Sequence, residues 1–330
     1  MENFLIQGLE GQDLSSVDWS GANLSKTNLT RTIFSGSELN NVVFNRSVLS
    51  EANLSSCVMN NVSCEGTLFD RATLSNLLFN SSCLKETSFR DIKAHDVVLK
   101  ECSLKGSVWL NSYVSNLISS ECLWEIAQLS HVSFKNAVFT ENSFRETEME
   151  EANLEGSIFM RGSLDTINLM NCCLNNLSLI ETRLNRVILL GSSAKDLMLF
   201  KCLLQEVNLS SIDLSFCDFT GVEANKSRFF LTELKDAKIK ESQFVHCDFQ
   251  NANFTGASLI DSKFIDSDMR WISAKCADFR GSTFEGVDLR GADLSSSGVE
   301  GVEFKDSIYD STTHLPASIT EAQLLLMRYV

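Results

Sequence analysis

The sequence predicts a repeat solenoid wound from a five-residue unit, and three observations point to it. The first is a register. Positions ending in 4 or 9 run Leu9, Leu14, Trp19, Leu24, Leu29, Phe34 and onward to Phe304 and Tyr309, and among them only Ser119 is polar. Neither the helical period nor the two-residue alternation of a plain strand produces that spacing. The second is a small or β-branched residue two before each centre, as at Ala22, Thr27, Ser37, Val42, Ala52, Cys57 and Ala152. The third is the placement of glycine. All of the chain's 16 glycines except Gly8, Gly162 and Gly298 stand two residues after a centre, where the chain must bend.

The unit explains itself physically. The large centre and the small residue two earlier point inward together, and the residues between and after them point out. The remaining positions are mostly Asn, Asp, Ser, Thr, Lys, Glu or Gly. Ala22-Asn23-Leu24-Ser25, Ala52-Asn53-Leu54-Ser55, Ala152-Asn153-Leu154-Glu155-Gly156 and Ala292-Asp293-Leu294-Ser295 show the pattern A-(N/D)-L-x-x. The single proline, Pro316, lies outside the repeats, where it deletes no ladder hydrogen bond. On these residues the chain resembles the pentapeptide-repeat proteins over roughly residues 4–311. The resemblance implies an all-β fold, a right-handed parallel quadrilateral β-helix with four pentads per square coil. Residues 1–311 would then form about 15 coils, stacked about 4.8 Å apart, and residues 312–330 a capping segment with an α-helix.

Composition bounds the chemistry. The formal charge of −15 keeps a long β-stack soluble and disfavours nucleic-acid or anionic-membrane binding. Met1 to Gln7 is too short for a signal peptide, and no stretch approaches a membrane span. Of the 11 cysteines, Cys57, Cys102, Cys122, Cys172, Cys202, Cys217 and Cys247 occupy the small inward slot. There free cysteine acts as a small hydrophobe, and a reducing bacterial cytoplasm is the expected location, with secretion by a signal-independent route left open. Cys102 and Cys122, one coil apart, are at disulfide-compatible spacing, although the slot explains both without a bond.

The ends and one stretch depart from the repeat. After Tyr309, an extended link through His314-Leu315-Pro316 precedes a helix expected from about Ser318 to Arg328. Ser318 or Thr320 can cap it, Glu321 suits its first turn, and Leu324, Leu325 and Met327 can cover the last coil. At the other end Phe4, Leu5 and Ile6 fold in as a plug, or that end pairs with another molecule. Between Trp109 and Leu129 the centres Val114, Ser119 and Trp124 fit the pattern least well, and local bulging is expected there.

If coils stack without offset, residues twenty apart form columns, which maps the outer wall. One column reads Val58, Leu78, Val98, Ile118, Val138, Ile158, Ser178, Met198, aliphatic where the repeat usually has Asn or Asp. Met160, Ile180 and Phe200 lie beside it. An exposed ribbon of this kind marks an interface, or else β-branched residues steadying neighbouring strands. Glu101, Glu121 and Glu141 run alongside, and Asp248, Asp268 and Asp288 make a second acidic column. Asn40, Asn60 and Asn80 stack as an amide ladder.

No catalytic constellation survives inspection. His95, His131, His246 and His314 lack metal-ligand spacing, and adjacent Cys172 and Cys173 point oppositely. No G-x-S-x-G, H-E-x-x-H or phosphate-binding loop occurs. The tube is filled by its own Leu and Phe, so no substrate cleft, cofactor or metal is expected, and the chain reads as a non-enzyme. Two function classes remain. One is a rigid interaction scaffold, in the manner of some bacterial effectors, that binds a partner or a second copy through the ribbon and its acidic flank. The other, implied by the resemblance, is an acidic DNA mimic that inhibits or protects a type II topoisomerase such as DNA gyrase. The mixing of Arg46, Arg71, Arg186 and Lys226 among the acids counts against the second.

Overall fold

Five residues can close one side of a square only if the chain turns sharply once per pentad. The computed structural model, which describes residues 8–330, shows how it does so. Two after nearly every centre the backbone enters the left-handed region, whether the residue is Gly21 (φ 76°), Asn41 (φ 58°), Arg71 (φ 58°) or even Ile126 (φ 53°). Glycine and asparagine tolerate this conformation, whereas a β-branched side chain is strained in it. The slot N–H closes the turn by donating to the carbonyl of the centre, as from Ser37 to Phe34 at 2.9 Å.

Coils are joined by parallel ladders. The N–H of a centre donates to the next coil, as from Phe34 to Asn53 O at 2.7 Å. The residue before the centre donates to the coil behind, as from Asn53 to Thr32 O at 2.9 Å. Slot hydroxyls and thiols add a third link, reaching the carbonyl of a centre in the preceding coil: Thr67 Oγ1 to Phe44 O at 2.8 Å, Ser157 Oγ to Phe134 O at 2.7 Å, and Cys57 Sγ to Phe34 O at 2.8 Å. The slot therefore selects Ser, Thr and Cys for their short donors as well as for size.

The chain falls into two compact units, Met1–Cys172 and Cys173–Val330. In the first, the strands Val58–Asn60, Leu78–Asn80, Val98–Lys100, Ile118–Ser120, Val138–Thr140 and Ile158–Met160 form one parallel wall. A second wall joins Leu123–Glu125, Ser143–Arg145 and Ser163–Asp165. The core stacks in columns, with Phe89 on Trp109 at 4.1 Å and Phe139 on Phe159 at 4.4 Å between ring centroids. In the second unit a parallel wall runs from Arg183–Asn185 to Glu303–Lys305. Phe229 stacks on Phe249 at 4.5 Å, and Phe244, Phe264, Phe284 and Phe304 form another column.

Residues 109–129 are not bulged, contrary to expectation. Tyr113–Ser115, Ile118–Ser120 and Leu123–Glu125 are ordinary strands in register with their neighbours. A closed polar network makes this possible. Ser119 Oγ donates to Asn142 Oδ1 at 2.9 Å, and Asn142 Nδ2 donates to Ser119 O at 2.7 Å. Asn142 Oδ1 also accepts from the Cys122 N–H at 2.9 Å, and Ser119 Oγ accepts from Trp124 Nε1 at 3.3 Å. Asn142 is larger than the slot normally holds. In the next coil that slot carries Gly162, where a Cβ would stand 2.6 Å from the Asn142 carbonyl oxygen.

The C-terminal helix is shorter than expected, Glu321–Leu325 instead of Ser318 to Arg328. Thr320 is the cap, with Gln323 completing a capping box. The chain then extends: Arg328–Tyr329 pairs in parallel with Ile308–Tyr309, a separate two-stranded sheet that adds one more rung to the column Asp248, Asp268, Asp288, Ile308. Met327 is buried, whereas Leu325 is exposed. The plug expected of Phe4, Leu5 and Ile6 lies outside the described residues.

Replacing Asn142 by Ala strands the Cys122 N–H and the Ser119 hydroxyl in the core. It should destabilise the protein by about 2 kcal/mol or more, measured from the urea midpoint. Ile126 is about half exposed and strained. Ile126→Asn should therefore stabilise the protein by roughly 0.5–1 kcal/mol, read as a higher urea midpoint. A fall would show that the Ile126 side chain contributes more than its corner costs.

Candidate functional site

The pentad alternation decides what the wall of the first unit presents. Met59, Phe79, Leu99, Ser119, Phe139 and Phe159 point inward, so Val58, Leu78, Val98, Ile118, Val138 and Ile158 must point out. The ladder pairs them without offset: Val58 with Leu78, Leu78 with Val98, Val98 with Ile118, Ile118 with Val138, and Val138 with Ile158. Ile118 is 49% exposed and Val58 38%, with the others half-buried by one another. A shallow groove of about 230 Å³ lies along this ridge, lined by Val98, Ile118 and Val138 and by Asp96, Asn116 and Asn136 of the neighbouring corner. Met160 stands at the far end of the same wall.

Polar columns border the ridge. Asn60 Nδ2 donates to Asn40 Oδ1 at 2.7 Å, and Asn80 Nδ2 to Asn60 Oδ1 at 3.1 Å, which gives the expected amide ladder. The carboxylate column is less bare than the sequence suggests. Glu101 accepts from Ser81 Oγ at 3.0 Å and lies 3.3 Å from Lys100 Nζ. The Ser81 hydrogen bond and the Lys100 charge hold its carboxyl below the usual glutamate range. Glu141 pairs with Arg161 at 3.0 Å. Glu121 lies exposed between them.

Met198, Ile180 and Phe200 belong to the second unit. There Ser178–Ile180 pairs with Met198–Phe200, which sets Ile180 beside Phe200, and Lys201 Nζ stands 5.1 Å from the Phe200 ring centroid. The second acidic column is largely neutralised. Arg270 Nη2 lies 2.6 Å from Asp268, and Arg290 Nη2 lies 2.6 Å from Asp288. Burial alone would raise the Asp288 carboxyl, but its hydrogen bonds from Arg290 outweigh that and hold it below the usual aspartate range.

Three exposed side chains of the second unit were missed in the sequence. Phe216, Leu231 and Trp271 all occupy left-handed corners. Trp271 lies under the Arg270 guanidinium, 5.1 Å from its ring centroid, and over Gly291, whose place admits no Cβ. The available signal was a bulky residue where the repeat normally has Gly, Asn or Asp.

Reactive groups are scattered or quenched. All 11 cysteines are free. Burial pushes Cys57 up to about 11 and Cys202, Cys217 and Cys247 up to about 12, which leaves little thiolate. The Cys102 thiol is pushed up by its hydrogen bond with Cys122 and by burial. His95 pairs with Asp96 at 2.8 Å and His131 with Glu151 at 3.1 Å. Among the described residues no group of three or more His, Cys, Asp or Glu could hold a metal ion. No helix among them is long and apolar enough to cross a membrane.

This geometry defines a class, a parallel solenoid of square coils with structured outer columns. The chain belongs to the pentapeptide-repeat family. The family pattern described as "Pentapeptide repeats (8 copies)" matches residues 9–46, 47–85 and 127–159, and that described as "Pentapeptide repeat region" matches residues 237–313. No curated protein sequence matches the chain. Among solved structures it is similar to HetL, a pentapeptide repeat protein involved in heterocyst differentiation regulation in the cyanobacterium Nostoc sp. strain PCC 7120. The identity is 19% over 70% of this chain and 90% of that one, with a TM-score of 0.29. It is similar to a trypsin-treated variant of QnrB1, a plasmid-mediated fluoroquinolone resistance protein, at 14% identity over 57% of this chain and 96% of that one, with a TM-score of 0.36. It is also similar to Rfr23 from the cyanobacterium Cyanothece 51142, at 18% identity over 35% and 88%, with a TM-score of 0.22.

The Asp288 pair has a pH consequence. A carboxyl held below its unfolded value, about 3.9, contributes stability above that pH and loses it as pH falls through the folded value. Asp288→Asn should therefore lower the urea midpoint at pH 7, and the difference from the parent should vanish as the pH falls below the folded value of Asp288. A difference that persists in acid would trace the effect to something other than the charge.

Proposed function

We propose that this protein is a non-enzymatic interaction scaffold, and that the aliphatic ridge of the first unit captures a protein partner or a second copy of the chain. The observation that carries this reading is the unbroken file from Val58 through Leu78, Val98, Ile118 and Val138 to Ile158. A column needs β-branched residues on neighbouring strands for stability, but it does not need them exposed in consecutive coils beside a groove. Rigidity favours recognition, because little conformational freedom is lost when a preformed surface binds. Glu101, Glu121 and Glu141 border the ridge and favour basic groups at the rim of whatever docks there. The fold does not name the partner.

The alternative, an acidic DNA mimic directed at a type II topoisomerase, would require continuous unpaired carboxylates. Here Lys100, Arg161, Arg270 and Arg290 sit against the columns it would use.

Ile118→Asp with Val138→Asp places two charges on the ridge without touching the core. The double variant should lose about 1 kcal/mol of stability or more, because the two carboxylates face each other across the ladder, yet stay folded by circular dichroism while losing self-association in sedimentation velocity or capture of its partner in pull-downs. Unchanged profiles in both would retire the ridge as an interface. Inhibition of DNA gyrase supercoiling at micromolar protein would favour the mimic instead.

A further inference from the structure

The ridge of the first unit restricts what can cover it. From Leu78–Asn80 to Val138–Thr140 its strands are interior members of one parallel sheet, each laddered to a neighbour on both sides. No edge is open along this stretch, so a partner cannot add a strand to it. An extended peptide laid flat across the wall would press its own N–H and C=O groups against aliphatic side chains that offer them no hydrogen bond. A helix satisfies its backbone internally and has only an apolar stripe to bury.

The dimensions agree. Val58 to Ile158 spans the five ladder steps described above. At about 4.8 Å a step that is about 24 Å, the length of about 16 helical residues. The groove beside Val98, Ile118 and Val138 holds about 230 Å³. Small-molecule sites start at about 300 Å³, so this one suits the side chains of a larger partner. Ile118, the most exposed member of the ridge, can seat between the turns of a helix laid along it.

Charge selects the kind of helix. Asp96 on one flank and Glu101, Glu121 and Glu141 on the other outnumber Lys100 and Arg161. Glu121 is exposed and forms no ion pair among the described residues. A second copy fits less well. In a twofold pair the wall meets itself, so the same carboxylate excess stands on both sides. Two flat walls of about 24 by 10 Å also touch over only about 240 Å², against roughly 800 Å² per partner in a stable interface. A helix, about 10 Å across, matches that footprint.

We infer that the ridge receives one basic amphipathic α-helix of a partner protein, its apolar stripe on Leu78, Val98, Ile118 and Val138 and its cations toward Glu121 and Asp96. The helix deepens the reading of the ridge as an interface and rests on it.

Fluorescence anisotropy tests this on the full chain, with a labelled peptide of about 16 residues that carries Leu along one helical stripe and Lys elsewhere. Half-saturation should fall in the micromolar range, and added salt should weaken binding. Glu121→Lys should weaken it about threefold or more, whereas Glu303→Lys, the same change of charge on an exposed residue of the second unit, should leave it unchanged. Ile118→Gln with Val138→Gln, which removes apolar surface without adding charge, should weaken it about tenfold. The same residues reordered so that Leu and Lys alternate lose the helical stripe and should bind at least about tenfold more weakly. No anisotropy change at about 100 µM peptide would overturn the helix. So would equal binding of the alternating peptide or of one with Glu in place of Lys, or equal effects of Glu121→Lys and Glu303→Lys. If no peptide binds, yet the parent self-associates in sedimentation velocity and the double Gln variant does not, the occupant is a second copy: the ridge remains an interface and the helix is refuted.

Discussion

A left-handed corner once per pentad is the constraint on which everything else depends. With the turn fixed, centres and slots face inward, the ladders align without offset, and outer residues twenty apart become neighbours. Because every pentad must turn there, the corner is imposed even on residues that resist it. Ile126, Phe216, Leu231 and Trp271 all adopt positive φ. The inter-coil hydrogen bonds over-determine each corner, so strain at one residue persists locally without breaking the register.

The core shows the same logic in its exception. A serine at a centre is a defect in a tube of Leu and Phe, and Asn142 contains it by hydrogen bonds. A buried polar group is tolerated when every partner is present. A network of this kind also differs from every other described coil of the first unit, so pairing one coil off by a full turn would leave it unsatisfied. The wall outside is permissive by comparison, and features unlike the repeat can be read there as candidates for recognition.

Much of this was legible in the sequence. The period placed Leu24, Phe34 and Phe304 inside, and the column rule placed Val58 beside Leu78 and Asn40 beside Asn60. The helix is shorter than its pattern of Leu324, Leu325 and Met327 suggests because that pattern does not reveal that Arg328–Tyr329 can pair with Ile308–Tyr309 as one more rung instead. The stretch 109–129 was misjudged because the partner that satisfies Ser119 lies in the following coil, at a slot where a polar residue looks unremarkable.

The sequence by itself determined the inside of this protein, because interior position depends only on spacing within a pentad and spacing is local. It also determined which outer residues share a column. Only the tertiary structure decided which charges in those columns are free. Glu101 and Lys100, or Arg270 and Asp268, are held together by side-chain rotamers that no register specifies.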